Sequence, residues 1–527
     1  MRLCDMQYYK KSYVELKKMI NKSSKKIILL LALIILLVGI VSATGVNKTI
    51  HTDNDNKITD DVSTKNVKKS TKIIQKNEKK IGKTAITKKT YNVSTYKALK
   101  KALTANYDKI TINLRANIKL QANTVIGDNR IYYINGNNKI IDGANKYQFL
   151  DIGKSNVTIK KLKIKNCHSS YGGAIKNSEG KLIIADSTFY NNTAKSGGAI
   201  SNHEYIYMKN TTILSNKATE IGGVIKNEGN LIIGNSTLKN NKALEEGAVY
   251  NQMKLYMKNV VFINNKGALS NDNQATIIQC KINNNTSKDG AIGNSNKLTI
   301  TKSTINYNKA TNYCAAINNN GGTVTITDSK INSNTAPGVA ISNNGGVLNM
   351  KRSTVSNNKA QAISGDNKIV IYNCTINGNN KGAILSSGIM TINKTMINNN
   401  KNEFAEAIMN WGQMTLTNSK INNNKATGRE DATGAISNYD TGKLTINKCT
   451  INGNTATEGG AIMNAGKLTV NSCTISNNKA KYGGALYNAK QGVTTLNNCK
   501  LLYNTPGGKN TIYIRSGKVI KRNTTIK

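Results

Sequence analysis

The chain has 527 residues, 38% hydrophobic and 5% aromatic, with 74 Lys and Arg against 28 Asp and Glu for a net charge of +46. That apolar fraction is low for a series of globular domains and ordinary for a thin rod, and only two prolines, Pro337 and Pro506, suit a long hydrogen-bonded ladder. Eight cysteines without a single Cys-x-x-Cys pair give no zinc-ribbon or thioredoxin-type pattern.

Ile27 to Val41 is an unbroken apolar run of 15 residues behind Lys17, Lys18, Lys22, Lys25 and Lys26, and it ends on Val41-Ser42-Ala43, a small-residue cleavage-like site. Residues 1–45 therefore read as a secretory signal peptide or a retained signal anchor. They predict export to the cell surface or exterior, with the membrane met only through this segment. Residues 46–90 have no aromatic and no periodicity, and carry ten lysines between Lys65 and Lys89 against one acid, Glu78. This composition buries no core and predicts a disordered basic linker. It reads either as a solvated spacer or as a tether to an anionic wall polymer or membrane surface.

Residues 91–168 read as a cap and first irregular coils. Ser94 to Ala105 places Tyr96, Leu99 and Leu103 on one face of a short helix, a lid for exposed strand edges. Irregular strands follow from Ile110 to Ile164, with turns at Asn135-Gly136-Asn137 and Asp142-Gly143.

Over residues 169–504 one phrase returns about every 24 residues, clearest at Gly459-Gly460-Ala461-Ile462-Met463-Asn464 through Leu468-Thr469-Val470 to Cys473-Thr474-Ile475-Ser476-Asn477-Asn478. Fourteen copies are marked by the Ala461 position, from Ala174 to Ala485, with spacings of 20 to 28 residues. Internal repetition at this period means a stacked architecture. The short runs alternate with period two, which is strand chemistry, and no copy has room for a helix. Three strands and three bends per copy make a parallel β-helix. At about 4.8 Å per coil, fourteen coils give a rod on the order of 70 Å. Residues 505–527 supply cationic cap strands at Thr511–Ile514 and Lys518–Lys521, without the long alternating strands and aromatic girdles of a membrane barrel.

Two columns hold asparagine. The position three after Ile475 is Asn in all fourteen copies, from Asn192 to Asn504. The position two after Ile462 is Asn in twelve, failing at Gly365 and Ser386. Asparagine tolerates a left-handed bend, and stacked amides bond along an axis. Cys280, Cys374, Cys449, Cys473 and Cys499 share a third column that elsewhere is mostly Ser or Thr, so it asks for a small inward residue. Cys449, Cys473 and Cys499 fall on successive coils, where a disulfide is sterically conceivable.

The Gly-Gly-Ala-Ile…Asn-Asn phrase resembles the repeats of chlamydial polymorphic outer-membrane proteins, and more closely the adhesin-like surface proteins of methanogenic archaea. The resemblance covers roughly Tyr91 to Lys527. It implies an all-β fold, a right-handed, pectate-lyase-like parallel β-helix of about 14 or more coils, and a non-enzymatic surface role. The implied partners are an anionic cell-wall polymer, a surface glycan or another cell.

The chemistry of the chain points the same way. Sugar cleavage needs paired carboxyls on neighbouring coils, yet Asp186 and Asp328 share a column six coils apart. Glu245-Glu246, Glu403/Glu406 and Glu430-Asp431 fall in variable loops. His51, His168 and His203 make no ligand spacing with each other or with an acid. No catalytic set, metal site or cofactor is expected. Nucleic acid is not expected either, because aromatics do not interleave with the basic residues. N-glycosylation sequons include Asn47, Asn210, Asn235, Asn373 and Asn393, expected to face outward, and Asn285, expected inside the ladder.

Overall fold

The computed structural model describes residues 86–527, apart from 128, 246, 403–406 and 427–432. Ile27–Val41, Asn47 and nearly all of the basic linker lie outside the described residues.

Three parallel sheets wind around one axis. Sheet A has 19 strands, starting with β1 (Lys88–Val93) and β2 (Lys109–Leu114) and ending at Lys518–Arg522. Its typical strand is five residues long and alternates out and in. In Lys443–Asn447, Leu444 and Ile446 point inside while Lys443, Thr445 and Asn447 point out. Sheets B and C use three-residue strands such as Thr450–Asn452 and Ile462–Asn464. Every strand pairs with its equivalent one coil on, so like stacks on like: Leu444 on Leu468, Ile446 on Val470, Ile451 on Ile475. Ile421, Ile446 and Ile451 are fully buried in the resulting core, and each such side chain contributes about 1.5–3 kcal/mol.

The three bends have separate solutions. The A-to-B bend places one residue per coil in the left-handed region, among them Asn210, Asn235, Arg352 and Lys448 at φ 49, 48, 47 and 52°. The bend after sheet B does the same with the residue before the invariant Asn, for example Asn357 and Asn477 at φ 53°. This corrects the expected role of the invariant asparagines: they do not take the left-handed turn themselves, but leave it to the preceding residue. At the third bend the first glycine of the pair is left-handed, as at Gly459 with φ 64°. A Cβ on the second, Gly460, would lie 2.6 Å from the Gly484 carbonyl oxygen one coil away, so neither accepts a side chain.

The stack is longer than the repeat. Sheet A has four strands before the fourteen copies and one after, the first of them followed by the capping helix instead of strands of sheets B and C, which gives a rod on the order of 90 Å. In sheet A the strands from Lys109 to Lys160 hold full parallel register with their neighbours. The irregularity lies in the other sheets and bends, with two-residue strands at Ile118–Lys119 and Val125–Ile126 and paired left-handed residues at Asn137-Asn138 and Ala144-Asn145. These coils also lack the Asn columns and the Gly-Gly phrase. β1 begins at Lys88, so the last residues expected in the linker pair with β2. The capping helix α1 (Tyr96–Leu103) has Thr95 as N-cap, accepting from the Ala98 N–H, and buries Tyr96, Leu99, Ala102 and Leu103.

Candidate functional site

The invariant asparagines form one continuous ladder. The Asn358 carboxamide Nδ2 donates to Asn379 Oδ1 on the next coil (2.8 Å) and to the Ile331 carbonyl on the previous one (3.1 Å). Its Oδ1 accepts from both the backbone N–H and Nδ2 of Asn334 at 2.9 and 3.0 Å. The same pattern runs from Asn192 to Asn504 without a gap. The second ladder runs Asn177 to Asn343 and Asn410 to Asn488. At its break, Ser386 Oγ and Asn410 Oδ1 are buried without partners.

The Ser/Thr/Cys column is a hydrogen-bonding column, not only a small-residue one. Ser303 Oγ donates to the Thr301 carbonyl and accepts the Cys280 N–H at 3.0 Å. Cys280 Sγ does the same between the Ile278 carbonyl and the Val260 N–H. A signal was present: the column is Ser, Thr or Cys in thirteen copies and never Ala. The seven described cysteines are buried free thiols, Cys449, Cys473 and Cys499 among them. Burial pushes Cys167 and Cys314 up to about 12 and Cys280 up to about 11.

These ladders hold the outer faces flat. None of the 19 strands of sheet A carries a carboxylate, and sheet B carries one, Asp142. The outward positions of sheet A are mostly Lys, Thr and Asn on the last coils. Earlier coils also turn out Tyr133, Tyr205, Tyr207, Tyr256 and Tyr372 and aliphatic residues such as Ile131 and Ile389, with Lys109, Lys181 and Lys351 lying over three of the rings. On the last coils Thr415, Thr445, Thr469 and Thr495 stack in register. Lys443 and Lys467 flank them on one side. On the other, Asn471 Nδ2 donates to Asn447 Oδ1 at 2.8 Å and Asn497 Nδ2 to Asn471 Oδ1 at 2.7 Å. Around the bend, Lys217 and Lys242 stack directly on adjacent coils, as do Lys401 and Lys425. Like charges at one strand spacing are unfavourable unless a counterion sits over them.

Acids gather instead at the bends and in the loops. Asp186 accepts from Asn210 Nδ2 at 3.0 Å. Asp328 takes two bonds from Arg352, at 2.6 and 2.8 Å, which hold its carboxyl below the usual range. These two do not meet. His203, read as lacking an acid, lies 2.9 Å from Glu228, which Lys226 also meets at 3.0 Å. One coil separates His203 from Glu228, so a distance of 25 residues in sequence becomes a contact in space. Among the described residues no group of His, Cys, Asp or Glu is arranged to hold a metal, and no helix is long and apolar enough to cross a membrane.

One coil breaks the even outline. Only Lys266 and Gly267 join Asn265 to Ala268, against six residues between Asn241 and Ala248 and five between Asn285 and Ala291. The missing lip leaves a cleft lined by Leu244, Glu245, Lys266, Lys288 and Asp289 over a floor that includes Ser270 and Gly293. The loops bearing Glu245 and Asp289 belong to coils two rungs apart, about 10 Å along the axis. Asp289 is held by Asn312 Nδ2 and the Tyr313 N–H, both at 3.0 Å. Loop length placed this cleft, and the spacing of 20 residues between Ala248 and Ala268 was its sequence signal.

The family model described as right handed beta helix region matches residues 248–376, 291–434 and 362–526, together more than half of the chain. No curated protein matches. Among solved structures, the A-module of the mannuronan C-5 epimerase AlgE6 of Azotobacter vinelandii is similar at 11% identity and a TM-score of 0.34, over 71% of this chain and 91% of that one. A PL6 family alginate lyase, AlyGC, is similar at 10% identity and a TM-score of 0.24, over 83% and 98%.

Proposed function

We propose that this chain, which belongs to the right handed beta helix region family, is a secreted or cell-surface, adhesin-like protein without catalytic activity that binds anionic wall polymer or glycan along sheets A and B. The observation that carries the reading is the segregation of charge: no carboxylate on any strand of sheet A and one on sheet B, in a chain of net charge +46. A face that presents lysines at multiples of the strand spacing, with Thr and Asn between them on the last coils and tyrosines among them on the earlier ones, suits a linear polyanion rather than a compact ligand. The adhesin-like role also rests on the resemblance of the repeat phrase.

The test is co-sedimentation of the full chain with an anionic and an uncharged wall polymer over rising salt, beside a product assay on both. Retention on the anionic polymer should fall steeply with salt, because exposed charges are screened. Equal, salt-independent retention on the uncharged polymer would sink the charge reading. A second reading, a carbohydrate-active lyase or hydrolase, is favoured by the cleft with Glu245 and Asp289. It predicts polymer shortening that disappears in Glu245→Gln and Asp289→Asn.

A further inference from the structure

We propose that the chain is N-glycosylated along its bends, on Asn191, Asn210, Asn235, Asn284, Asn373 and Asn523. The modification rests on the export reading above, since it needs a transferase on the outer side of the membrane. All six begin an Asn-x-Ser/Thr sequon, all six are exposed, and all six stand in the left-handed region at φ 55, 49, 48, 55, 51 and 45°. They are bend residues, where the backbone turns away on both sides. A side chain there has neighbours only along the axis, such as Asp186 Oδ1, which accepts from the exposed Asn210 Nδ2 and must release it for the transfer, and Asn259 Nδ2, which donates to Asn235 Oδ1. A bulky substituent on it points into solvent and disturbs no strand pairing.

The other described sequons lack that freedom. Asn285 is 1% exposed, and its amide bonds Asn308 Oδ1, the Phe262 carbonyl and the Asn283 carbonyl. Asn156 and Asn393 lie in strands of sheet A with side chains of the coils above and below in register, and Asn92 lies in the first strand of that sheet with Asn113 of the next coil bonded to it. Asn92 Oδ1 also accepts from Arg115 at 2.9 Å. Asn393 corrects an expectation: it ends a strand, and Lys394, at φ 50°, occupies the bend position assigned to it. Conversely, Asn191 and Asn284 join the exposed set through the second left-handed bend, which the sequence pattern did not reveal.

The step is a glycosyl transfer. Nδ2 of the bend asparagine attacks C1 of an oligosaccharide carried on a lipid phosphate. The N–C1 bond forms, the C1–O bond to phosphate breaks, and the phosphate leaves with the electron pair. Nδ2 loses one proton to a base of the transferase.

Glycopeptide mass spectrometry on the full chain from its own cells, beside protease shaving of intact cells, tests the proposal. Glycans are expected on the bend sites and absent from Asn285, Asn92, Asn156 and Asn393. Two variants sharpen it. Thr237→Ala should remove the glycan of Asn235 alone. Thr286→Ala removes the Asn284 sequon but keeps that of Asn285, since Ser287 is intact, so the peptide should become unmodified. A glycan that persists there, or one on Asn92, Asn156 or Asn393, overturns the bend rule. A shaved but unglycosylated chain overturns the modification and leaves export standing. A chain inaccessible to protease and unglycosylated overturns both.

Discussion

At the scale of the residue, the ladder amide is the smallest unit that explains the fold. Asn358→Leu would leave the Asn334 N–H buried without a partner and break the amide stack, at about 1–3 kcal/mol. The outward Thr354→Ser should cost under about 0.5 kcal/mol. Thermal melts that place the two variants together would refute the ladder's energetic role. The break in the second ladder offers the opposite experiment. Ser386→Asn would put a donor opposite the orphaned Asn410 Oδ1 and should stabilise by about 1 kcal/mol, read as a rise in Tm. Both Asn columns were legible because repetition makes a column visible. The left-handed residue beside each ladder was not: Asn, Ser, Tyr and Gly all occupy that position, as at Asn357, Ser333, Tyr307 and Gly378. Backbone geometry there is set by the ladder next to it, not by the residue itself.

At the scale of the element, the thiol column links packing to pH. Burial raises the Cys280 thiol from 9.0 to about 11. A group whose folded value is raised contributes stability that is whole below the unfolded value and lost as pH climbs through the folded one. Stability should therefore hold to about pH 9 and decline from there towards 11. Cys280→Ser keeps the bond to the Val260 N–H, as Ser303 does for Cys280, so it should melt like the parent at pH 7 and decline less at pH 10. Equal alkaline loss in both would mean that the thiol is not the titrating group. The strands and helix α1 followed from period-two and helical alternation. The N-terminal coils were read as irregular because their bends use other residues, although their hydrogen-bond register in sheet A is the same.

At the scale of the whole molecule, charge rather than any single site decides the function proposed. Lys443→Gln with Lys467→Gln should lower retention on an anionic polymer and flatten its salt dependence, with an unchanged melt, because both side chains are outward on sheet A. A deletion of residues 65–83, which spares β1, separates the linker's contribution from that of the rod. No sequon begins between Lys394 and Arg522, so the coils bearing Thr415, Thr445, Thr469 and Thr495 would stay free of glycan. The overall cation excess was legible in composition, but its sidedness needed the register that assigns each lysine a face. The cleft at Lys266-Gly267 needed the loops on either side of it as well.

The amide ladders also give the rod a direction. From Asn192 to Asn478 every Nδ2 donates to the Oδ1 of the coil that follows, and the second ladder runs the same way. Backbone bonds between coils run both ways, as with Lys467 N–H to the Gly442 carbonyl and Ser472 N–H to the Asn497 carbonyl, and their dipoles cancel along the axis. The side-chain amides of the two buried ladders, at about 3.5 D each, add, whereas outer amides such as Asn471 and Asn497 donate to the preceding coil and offset part of the sum. Reversing one ladder amide would set oxygen against oxygen on one side and nitrogen against nitrogen on the other. The array is thus ferroelectric in miniature: it keeps its polarity as a whole or gives it up as a whole, and the rod has electrically distinct poles.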